Sequence, residues 1–380
     1  MRRLVFLLLL AGFALGWGDS AVAAEDPPSI RAKAAILADS DGNFLFAENA
    51  DRRTAMASIT KIMTALVTLE RARPKAMVTI GAAAPEVGES TFDLQPGERL
   101  RVRELLKAAL VQSANDAAYA LANYVGNGKV TRFVRLMNKR AAELGLENTH
   151  YVRPDGLDTK GHYSTARDTL TLAREAMENR IFRDIVRTKS GVVAGRQLYV
   201  WNDLLRLYPG TIGIKTGHTD RAGWSEVAAA RRQGVTLYAV LLGGPTRGRR
   251  NADLRGLLDW GFDHYGSVRV ITRGRAYATA RAPFSDQSIE LMPETSARAT
   301  VFLGRPLVER VVAPSQIEPP VGLGDPVGEV RIYDGDTLIA RRPLVATQAV
   351  AEPGLARRLR WYAGRAFDEA GDLLASLSPF

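Results

Sequence analysis

The sequence contains no cysteine and only four histidines. Without cysteine the chain forms no disulfide bond, and it has neither a thiol nucleophile nor a cysteine-ligated metal centre. The histidines are scattered and lack metal-ligand spacing, so we expect no metal and no other cofactor. They are His150, His162, His218 and His264. We therefore do not expect a zinc peptidase.

Long apolar runs are scarce, and the clearest one lies at the N-terminus. Arg2 and Arg3 precede the apolar run Leu4–Leu15, and small residues follow at Ala21–Ala24. The run is too short to span a bilayer comfortably. This pattern predicts a cleaved secretory signal over residues 1–24, with an uncleaved anchor as the alternative. We therefore expect the mature chain to be exported.

Acidic residues are outnumbered by basic ones, at 41 Asp and Glu against 51 Lys and Arg, which gives a net charge of +10. A basic surface favours anionic partners such as phospholipid headgroups, anionic wall polymers or nucleic acid. The sequence shows no nucleic-acid-binding module and no P-loop, so we expect no nucleic-acid partner. The length of 380 residues allows two or three domains with a large core.

Three short motifs follow one another along the chain. They are S-x-x-K at Ser58 and Lys61, S-x-N at Ser113 and Asn115, and K-T-G beginning at Lys215. A lysine one helical turn after a serine lies on the same face and can remove the hydroxyl proton. Each motif alone is more often a helix start, a loop or a hairpin tip. The ordered trio predicts an acyl-transfer site with Ser58 as nucleophile and Lys61 as base.

The second and third motifs would complete this site. Lys61 must be neutral to accept a proton, which requires burial or a nearby positive charge. Lys215 could supply that charge, or it could bind a substrate carboxylate. We expect Ser113 to relay a proton to the leaving nitrogen. We expect Asn115 to contact the peptide carbonyl of the substrate and to orient the lysine.

The K-T-G motif is predicted to lie on a strand at the edge of the site. Because Gly217 has no side chain, a peptide could lie against this strand as an added strand, next to Thr216. The backbone N–H of His218 would then be a second donor to the oxyanion, beside the helix that begins near Ser58.

With these motifs the chain resembles the low-molecular-weight penicillin-binding proteins, and more closely the D-alanyl-D-alanine carboxypeptidases of serine peptidase family S11. The implied fold is the α/β (α+β) penicillin-binding and β-lactamase-like transpeptidase fold. Further segments resemble the family along most of the chain. They are Ala35–Leu37, Leu94–Glu98, Gly145–His150, Gly156–Asp158, Tyr163–Asp168 and Gly213–Asp220.

The resemblance implies that the substrates are peptidoglycan stem pentapeptides and that β-lactam antibiotics trap the enzyme covalently. Ser58 would form an acyl-enzyme and release the terminal D-alanine, in cell-wall synthesis and remodelling at the periplasmic face of the inner membrane. Arg250 falls where a family arginine helps bind the substrate carboxylate, although Arg249 is adjacent. Asp155 and Val200 stand where some relatives have histidine and arginine.

The chain divides into four predicted segments. The signal over 1–24 precedes a catalytic domain over 25–265, where strand and helix patterns alternate. Short strands and turns over 268–350 predict a small all-β domain. Leucines and arginines over 353–380 predict an amphipathic helix lying in the plane of an anionic membrane. A helix docked on the β domain is the alternative.

Three other functions share some of these features. A serine β-lactamase carries the same motifs, and Glu175 to Asn179 fits E-x-x-x-N, but these residues fall in a helical pattern. An endopeptidase of the same fold would tend to lack the β domain. A non-catalytic scaffold would not need the complete trio of motifs.

Overall fold

The computed structural model describes residues 26–376 of the chain. The predicted signal over 1–24 lies outside the described residues, as do the last four positions of the predicted C-terminal helix. In the described range the helices are α1 Lys61–Arg71, α2 Val102–Val111, α3 Asn115–Val125, α4 Val130–Glu143, α5 Ala166–Glu178, α6 Arg180–Val186, α7 Leu204–Leu207, α8 Arg247–His264 and α9 Leu355–Ser376.

The strands belong to one large sheet, to a second sheet of the C-terminal domain and to three small pairs. In chain order they are β1 Ala34–Asp39, β2 Phe44–Glu48, β3 Met77–Thr79, β4 Arg99–Arg101, β5 Val192–Val193, β6 Arg196–Gln197, β7 Thr211–Thr219, β8 Gly223–Arg232, β9 Val235–Gly244, β10 Tyr265–Ile271, β11 Ala278–Arg281, β12 Ser288–Pro293, β13 Ala297–Phe302, β14 Val308–Val312, β15 Pro326–Asp334 and β16 Thr337–Ala346.

The large sheet is antiparallel and has the strand order β2-β1-β9-β8-β7. Both of its faces are covered. Val227 and Ala229 of β8 join the core shared with the helices α1 to α6. Ala228 and Ala230 join the core under α8. Successive side chains of a strand point to opposite faces, so this run of small apolar residues fits a strand buried on both sides.

Ser58 lies one turn before an α-helix. The sequence predicts Ser58 in the first turn of a helix; the structure forms a 3-10 turn over Ala57–Thr60, and α1 begins at Lys61. In the tighter 3-10 turn, residues three apart are eclipsed. Ser58 and Lys61 therefore lie directly over one another.

The second motif lies at a break between two helices. α2 ends at Val111, and α3 begins at Asn115. Between them Ser113 adopts φ +67°, in the left-handed region that non-glycine residues rarely occupy. The reversal of the chain at this point brings Ser113 and Asn115 to the same side of the break.

The third motif lies on β7, the outermost strand of the large sheet. β7 pairs with β8 on one side, with Thr216 opposite Glu226. An outermost strand leaves its other row of backbone groups without a sheet partner. It is therefore the strand to which a peptide substrate can add.

The C-terminal part has its own sheet with the strand order β11-β12-β16-β15-β14, and β10 pairs with β13 beside it. Its separate core includes Ile271, Leu291 and Ile332. A hairpin turn at Asp334 to Asp336 joins β15 to β16. These observations confirm the predicted fold class, an α/β catalytic fold followed by an all-β unit. α8 ends at His264, next to the predicted domain boundary.

Helix α9 follows the β domain and presents apolar side chains to the surface. Leu355, Leu359 and Tyr362 are 75%, 62% and 63% exposed. The ring of Tyr362 packs edge-on against Phe284 at 5.8 Å, and the guanidinium of Arg358 lies 5.6 Å from the centroid of the same ring, so the helix contacts the β domain. Among the described residues, no helix combines the length and the apolar character needed to cross a bilayer.

Candidate active site

Lys61 and Ser58 form the centre of a cleft. Lys61 Nζ lies 2.8 Å from Ser58 Oγ, 2.7 Å from Asn115 Oδ1 and 2.7 Å from the backbone carbonyl of Asp155. Carbonyl oxygens only accept hydrogen bonds, so two amine hydrogens must point to Asn115 and Asp155. In the neutral amine, the remaining lone pair therefore faces the Ser58 hydroxyl. This is the orientation that a general base needs.

The surroundings of Lys61 favour its neutral form. The side chain is 0% exposed. Burial lowers the pKa of Lys61 to about 7, against the opposing charges of Asp155 and Glu89. A substantial fraction of Lys61 is therefore neutral near pH 7. The sequence left open whether burial or a nearby cation would neutralise this lysine; in the structure, burial is the main cause.

Asn115 is fixed by contacts on both ends of its amide. Its Oδ1 accepts from Lys61, and its Nδ2 donates to the carbonyl of Gly88 at 3.0 Å. The side chain is 2% exposed. Asn115 thus orients the lysine, as the sequence predicts. Its predicted contact with a substrate carbonyl stays a prediction.

Ser113 and Lys215 form a second pair. Lys215 Nζ donates to Ser113 Oγ at 2.8 Å and to the carbonyl of Thr216 at 2.7 Å. Burial holds the pKa of Lys215 well below its usual value, and the charge of Lys61 lowers it further. An anion bound beside Lys215 would raise this pKa again, because it stabilises the charged amine. The structure brings Ser113 to Lys215 rather than directly to Ser58.

Arg250 lies at the N-terminal end of α8, in the wall of the cleft. It is 1% exposed. Its Nε lies 2.9 Å from Glu226 Oε2, and its Nη2 donates to Asn251 Oδ1 at 2.7 Å. Arg249 instead pairs with Asp253 at 2.7 Å. Of the two adjacent arginines, Arg250 is therefore the one that reaches the cleft.

Gly217 holds β7 against the Ser58 turn. A Cβ atom at this position would lie 3.0 Å from the backbone nitrogen of Ser58 and 3.1 Å from that of Ile59. A side chain here would therefore require the backbone of the turn to shift by a few tenths of an ångström. The sequence predicts that the absent side chain makes room for substrate; the structure shows that it makes room for the nucleophile's own backbone. His218 is the residue of β7 that follows this contact.

Three residues that the sequence analysis did not single out support this turn. Thr60 Oγ1 donates to the carbonyl of Ala57 at 2.8 Å and contacts His162 Nε2 at 2.8 Å. The backbone N–H of Val152 donates to His162 Nδ1 at 3.0 Å, so Nε2 carries the proton and donates to Thr60. Burial lowers the pKa of His162 to about 4, which keeps this ring neutral.

Asp155 fixes the loop that reaches Lys61. Its carboxylate accepts from Arg153 Nε at 2.6 Å and from the backbone of Leu157 at 2.9 Å. Asp155 is 1% exposed. Next to it, a Cβ atom on Gly156 would lie 2.0 Å from the carbonyl oxygen of Ala57. The loop and the Ser58 turn therefore pack through backbone atoms.

The cleft measures about 190 Å³. Residues of all three motifs line it together with aromatic side chains, namely Ser58, Ser113, Asn115, Thr216, Gly217, His218, Trp201, Trp224 and Arg250. The exposed ring of His218 stacks on Trp224 with 4.1 Å between centroids. Val200 lies behind the cleft, beside a small cavity that Lys215 and Thr216 also line.

The glutamate that would suit a β-lactamase lies elsewhere. Glu175 is on α5, where its carboxylate pairs with Arg140 at 2.6 Å. Asn179 caps the N-terminus of α6. Both are therefore structural, as the helical pattern predicts. Among the residues that the structure describes, no cluster of three or more histidine and acidic side chains could hold a metal ion.

Comparison with known proteins gives concordant matches. The family model for D-alanyl-D-alanine carboxypeptidase, peptidase family S11, matches residues 21–246. The chain is 30% identical to the D-alanyl-D-alanine carboxypeptidase DacF of Bacillus subtilis over 93% of its length and 96% of the relative's. It is 33% identical to DacA of Escherichia coli K12, with 86% of this chain and 85% of the relative covered.

A solved structure agrees with these sequence matches. Penicillin binding protein 5 from Haemophilus influenzae superposes with a TM-score of 0.71 at 30% identity. The match covers 86% of this chain and 100% of that one. The similarity therefore extends beyond the catalytic fold into the C-terminal sheet.

Proposed function

The chain belongs to the D-alanyl-D-alanine carboxypeptidase family of serine peptidases, and we propose that it removes the terminal D-alanine from peptidoglycan stem pentapeptides through an acyl-enzyme on Ser58. One observation carries this proposal most directly. A half-buried serine hydroxyl lies 2.8 Å from a fully buried amine whose two hydrogens are directed to other acceptors.

In the first step, Lys61 removes the proton of Ser58 as Ser58 Oγ attacks the carbonyl carbon of the penultimate D-alanine. The oxyanion that forms needs hydrogen-bond donors prepared in advance. The backbone N–H groups of Ser58 and His218 are suited to this, because the missing side chain of Gly217 brings β7 against the Ser58 turn.

In the second step, the leaving nitrogen of the terminal D-alanine gains a proton as its bond to the carbonyl breaks. Ser113, whose hydroxyl lines the same cleft, is suited to relay to this nitrogen the proton that Lys61 took from Ser58, and this transfer leaves Lys61 neutral again. Lys61 then activates water, which attacks the ester and frees the shortened peptide. The proton held by Lys61 returns to Ser58 Oγ.

The end of the substrate carries a carboxylate, and the cleft offers cations for it. Arg250 lines the cleft, and Lys215 lies behind it, where its amine donates to Ser113 of the cleft wall. Either cation gains from an adjacent carboxylate in a buried site. A β-lactam carries both a reactive carbonyl and a carboxylate, so we propose that penicillin acylates Ser58 in the same way.

Intact-mass measurement with benzylpenicillin, followed by peptide mapping of the adduct, tests this proposal. We expect one adduct, on Ser58, and none in Ser58→Ala. An adduct on any other residue would contradict the site.

Two further measurements separate the enzyme from related activities. Slow release of the drug would distinguish it from a β-lactamase, which turns penicillin over rapidly. Release of D-alanine from pentapeptide, compared with cleavage of a crosslinked dimer, would separate it from an endopeptidase.

We further propose that the mature chain lies at the periplasmic face of the inner membrane, held there by α9. The helix exposes Leu355, Leu359 and Tyr362, and Arg357 and Arg360 lie on the same exposed segment. Apolar side chains beside arginines suit the interface of an anionic bilayer. The β domain would then act as a spacer between the membrane and the cleft.

A further inference from the structure

Glu226 is an acidic residue buried in the large sheet behind the cleft. It lies on β8 opposite Thr216 of the K-T-G motif, and it is 0% exposed. The residues that follow it, Val227 to Ala230, are all apolar and buried. A charge in such a place is costly unless a partner compensates it. The sheet alone gives no reason for an acid at this position.

The partner of Glu226 is Arg250. Arg250 Nε lies 2.9 Å from Glu226 Oε2, which is close enough for an ion pair. Yet neither carboxylate oxygen of Glu226 has a hydrogen bond of good geometry among the described residues. The two side chains are therefore held together by charge attraction and not by hydrogen bonds of good geometry. Its strength depends on whether Glu226 is ionised.

The charged groups around Glu226 come from three elements. Arg250 and Arg247 face it from α8, Asp203 from the segment before α7, and Lys215 from β7. On the β9 side, its cross-strand partner is the apolar Leu241. Glu226 therefore competes with any anion that enters the cleft for the charge of Arg250, and for that of Lys215 when its amine is protonated.

Glu226 and Asp203 differ in how they titrate. Burial raises the pKa of Glu226 to about 7, although Arg250 opposes the rise. Burial also acts on Asp203, but hydrogen bonds from Arg247 and Asn251 hold its pKa below the usual value. Near neutral pH, Glu226 changes its charge while Asp203 stays ionised.

We propose that Glu226 is a positioning residue that holds Arg250 at the wall of the cleft and takes up a proton from solvent when a carboxylate ligand binds beside Lys215. Two carboxylates close to the same two cations repel each other, and protonation of one relieves the repulsion. A protonated Glu226 leaves more of the positive charge of Arg250 and Lys215 to the ligand. The inference rests on the proposed function only in placing the ligand carboxylate at these cations.

The sign of the effect follows from this competition. A bound anion raises the pKa of Glu226, so the ligand binds best when Glu226 is protonated and more weakly as pH rises through about 7. The protonated fraction of Glu226 falls about tenfold between pH 6 and pH 8. The affinity for the ligand should therefore fall by at most about tenfold over this range because of Glu226. Lys61 and Lys215 titrate as well, so the difference in half-saturating ligand concentration between wild type and a variant without the Glu226 carboxylate isolates the part due to Glu226.

Infrared difference spectroscopy tests the protonation directly. In the mature wild-type enzyme we expect a protonated-carboxyl band that titrates near pH 7, is absent in Glu226→Gln, and persists to higher pH in the benzylpenicillin adduct. A Glu226 that stays ionised in the adduct at pH 7 would overturn the proposal. The spectrum of the free enzyme tests the titration of Glu226 without any reaction at Ser58. Failure of penicillin to modify Ser58 would count against the proposed function and not against this titration.

Acylation kinetics give the second test. Gln mimics a protonated Glu226, so E226Q and wild type should have equal half-saturating benzylpenicillin concentrations at pH 6. At pH 8 the value for E226Q should be lower, by up to about tenfold. Asp203→Asn is the matched control, because it removes a carboxylate from the same arginine but one that stays ionised. Because the charge of Asp203 helps to raise the pKa of Glu226, D203N should still bind the ligand more weakly at the higher pH, with the change displaced to lower pH. If the ratio of half-saturating benzylpenicillin concentrations at pH 8 and pH 6 were the same in E226Q and in wild type, the inference would be wrong.

Discussion

At the scale of single residues, the catalytic character of Lys61 comes from where its amine lies. The side chain is fully buried and meets two obligatory acceptors, Asn115 Oδ1 and the Asp155 carbonyl. An exposed lysine at the same spacing from a serine would stay charged near neutral pH and could not accept a proton. The motif supplies the two groups; their surroundings decide whether they react.

Removal of the amine should abolish acylation with little change in packing. Methionine fills a space similar to that of lysine, so Lys61→Met should reduce the rate of acylation by penicillin by about 10²- to 10⁴-fold, the usual range for a general base. The rate of labelling by fluorescent penicillin measures this. Lys139→Met, on the surface of α4 with a side chain 68% exposed, is the control. Labelling of K61M at the control rate would show that another group is the base.

The acylation rate constant should depend on pH in a defined direction. The base works in its neutral form, and burial lowers the pKa of Lys61 to about 7. The rate constant should therefore rise as pH increases through about 7 and level off above it. Stopped-flow measurement at saturating ligand gives the profile. A rate constant that falls over this range would mean that the charged amine is the reactive form.

At the scale of elements, two close backbone approaches place the nucleophile. The Ser58 turn lies between β7, at Gly217, and the loop at Gly156. The loop is held in turn by Asp155 with Arg153 and by His162 with Thr60. Because both contacts use backbone atoms, the position of Ser58 Oγ depends on elements that are remote in sequence.

Substitution of Gly217 should lower the acylation rate, and measurement of thermal unfolding shows whether a loss of stability accounts for it. In Gly217→Ala, the new Cβ would meet the backbone of Ser58, so β7 and the turn must move apart, and acylation should fall at least about tenfold. Gly256→Ala on α8 is the control, because its Cβ would meet only Pro28 Cβ at 3.9 Å and alanine suits a helix better than glycine. Thermal unfolding and penicillin labelling of both variants test this. Wild-type labelling in G217A would refute the close approach.

At the scale of the whole molecule, the catalytic fold, the β domain and α9 follow one another along the chain. The large sheet and the C-terminal sheet have separate cores. Helix α9 touches the β domain through Tyr362 and Phe284 while it exposes Leu355 and Leu359. Binding to a surface through α9 should therefore leave the cleft unchanged.

Binding to lipid vesicles tests the role of α9. The mature chain should co-sediment with vesicles of anionic phosphatidylglycerol, less so at high salt, and weakly with neutral phosphatidylcholine. Leu355→Asp combined with Leu359→Asp should abolish the binding. Both proteins should react with penicillin at the same rate. Equal sedimentation of the two would instead favour a helix that docks on the β domain.

Much of the site was predictable because its motifs are local. S-x-x-K places Ser58 and Lys61 one turn apart by helix geometry alone, and the break between α2 and α3 places Ser113. Glu226 left a weak signal, as an acid at the start of an apolar strand pattern. The contact between His162 and Thr60 left none, since the two residues are 102 positions apart.

The sequence by itself determined which reactive groups are present and how they are ordered, because motif spacing and strand or helix periodicity are local properties. The fold class followed from the family resemblance that these motifs carry. Only the tertiary structure decided that Lys61 is buried, that the Asp155 carbonyl 94 positions away directs its hydrogens, and that Arg250 rests on Glu226. The physical reason is that desolvation and charge pairing depend on distance in space, and the folded chain creates those distances between remote residues.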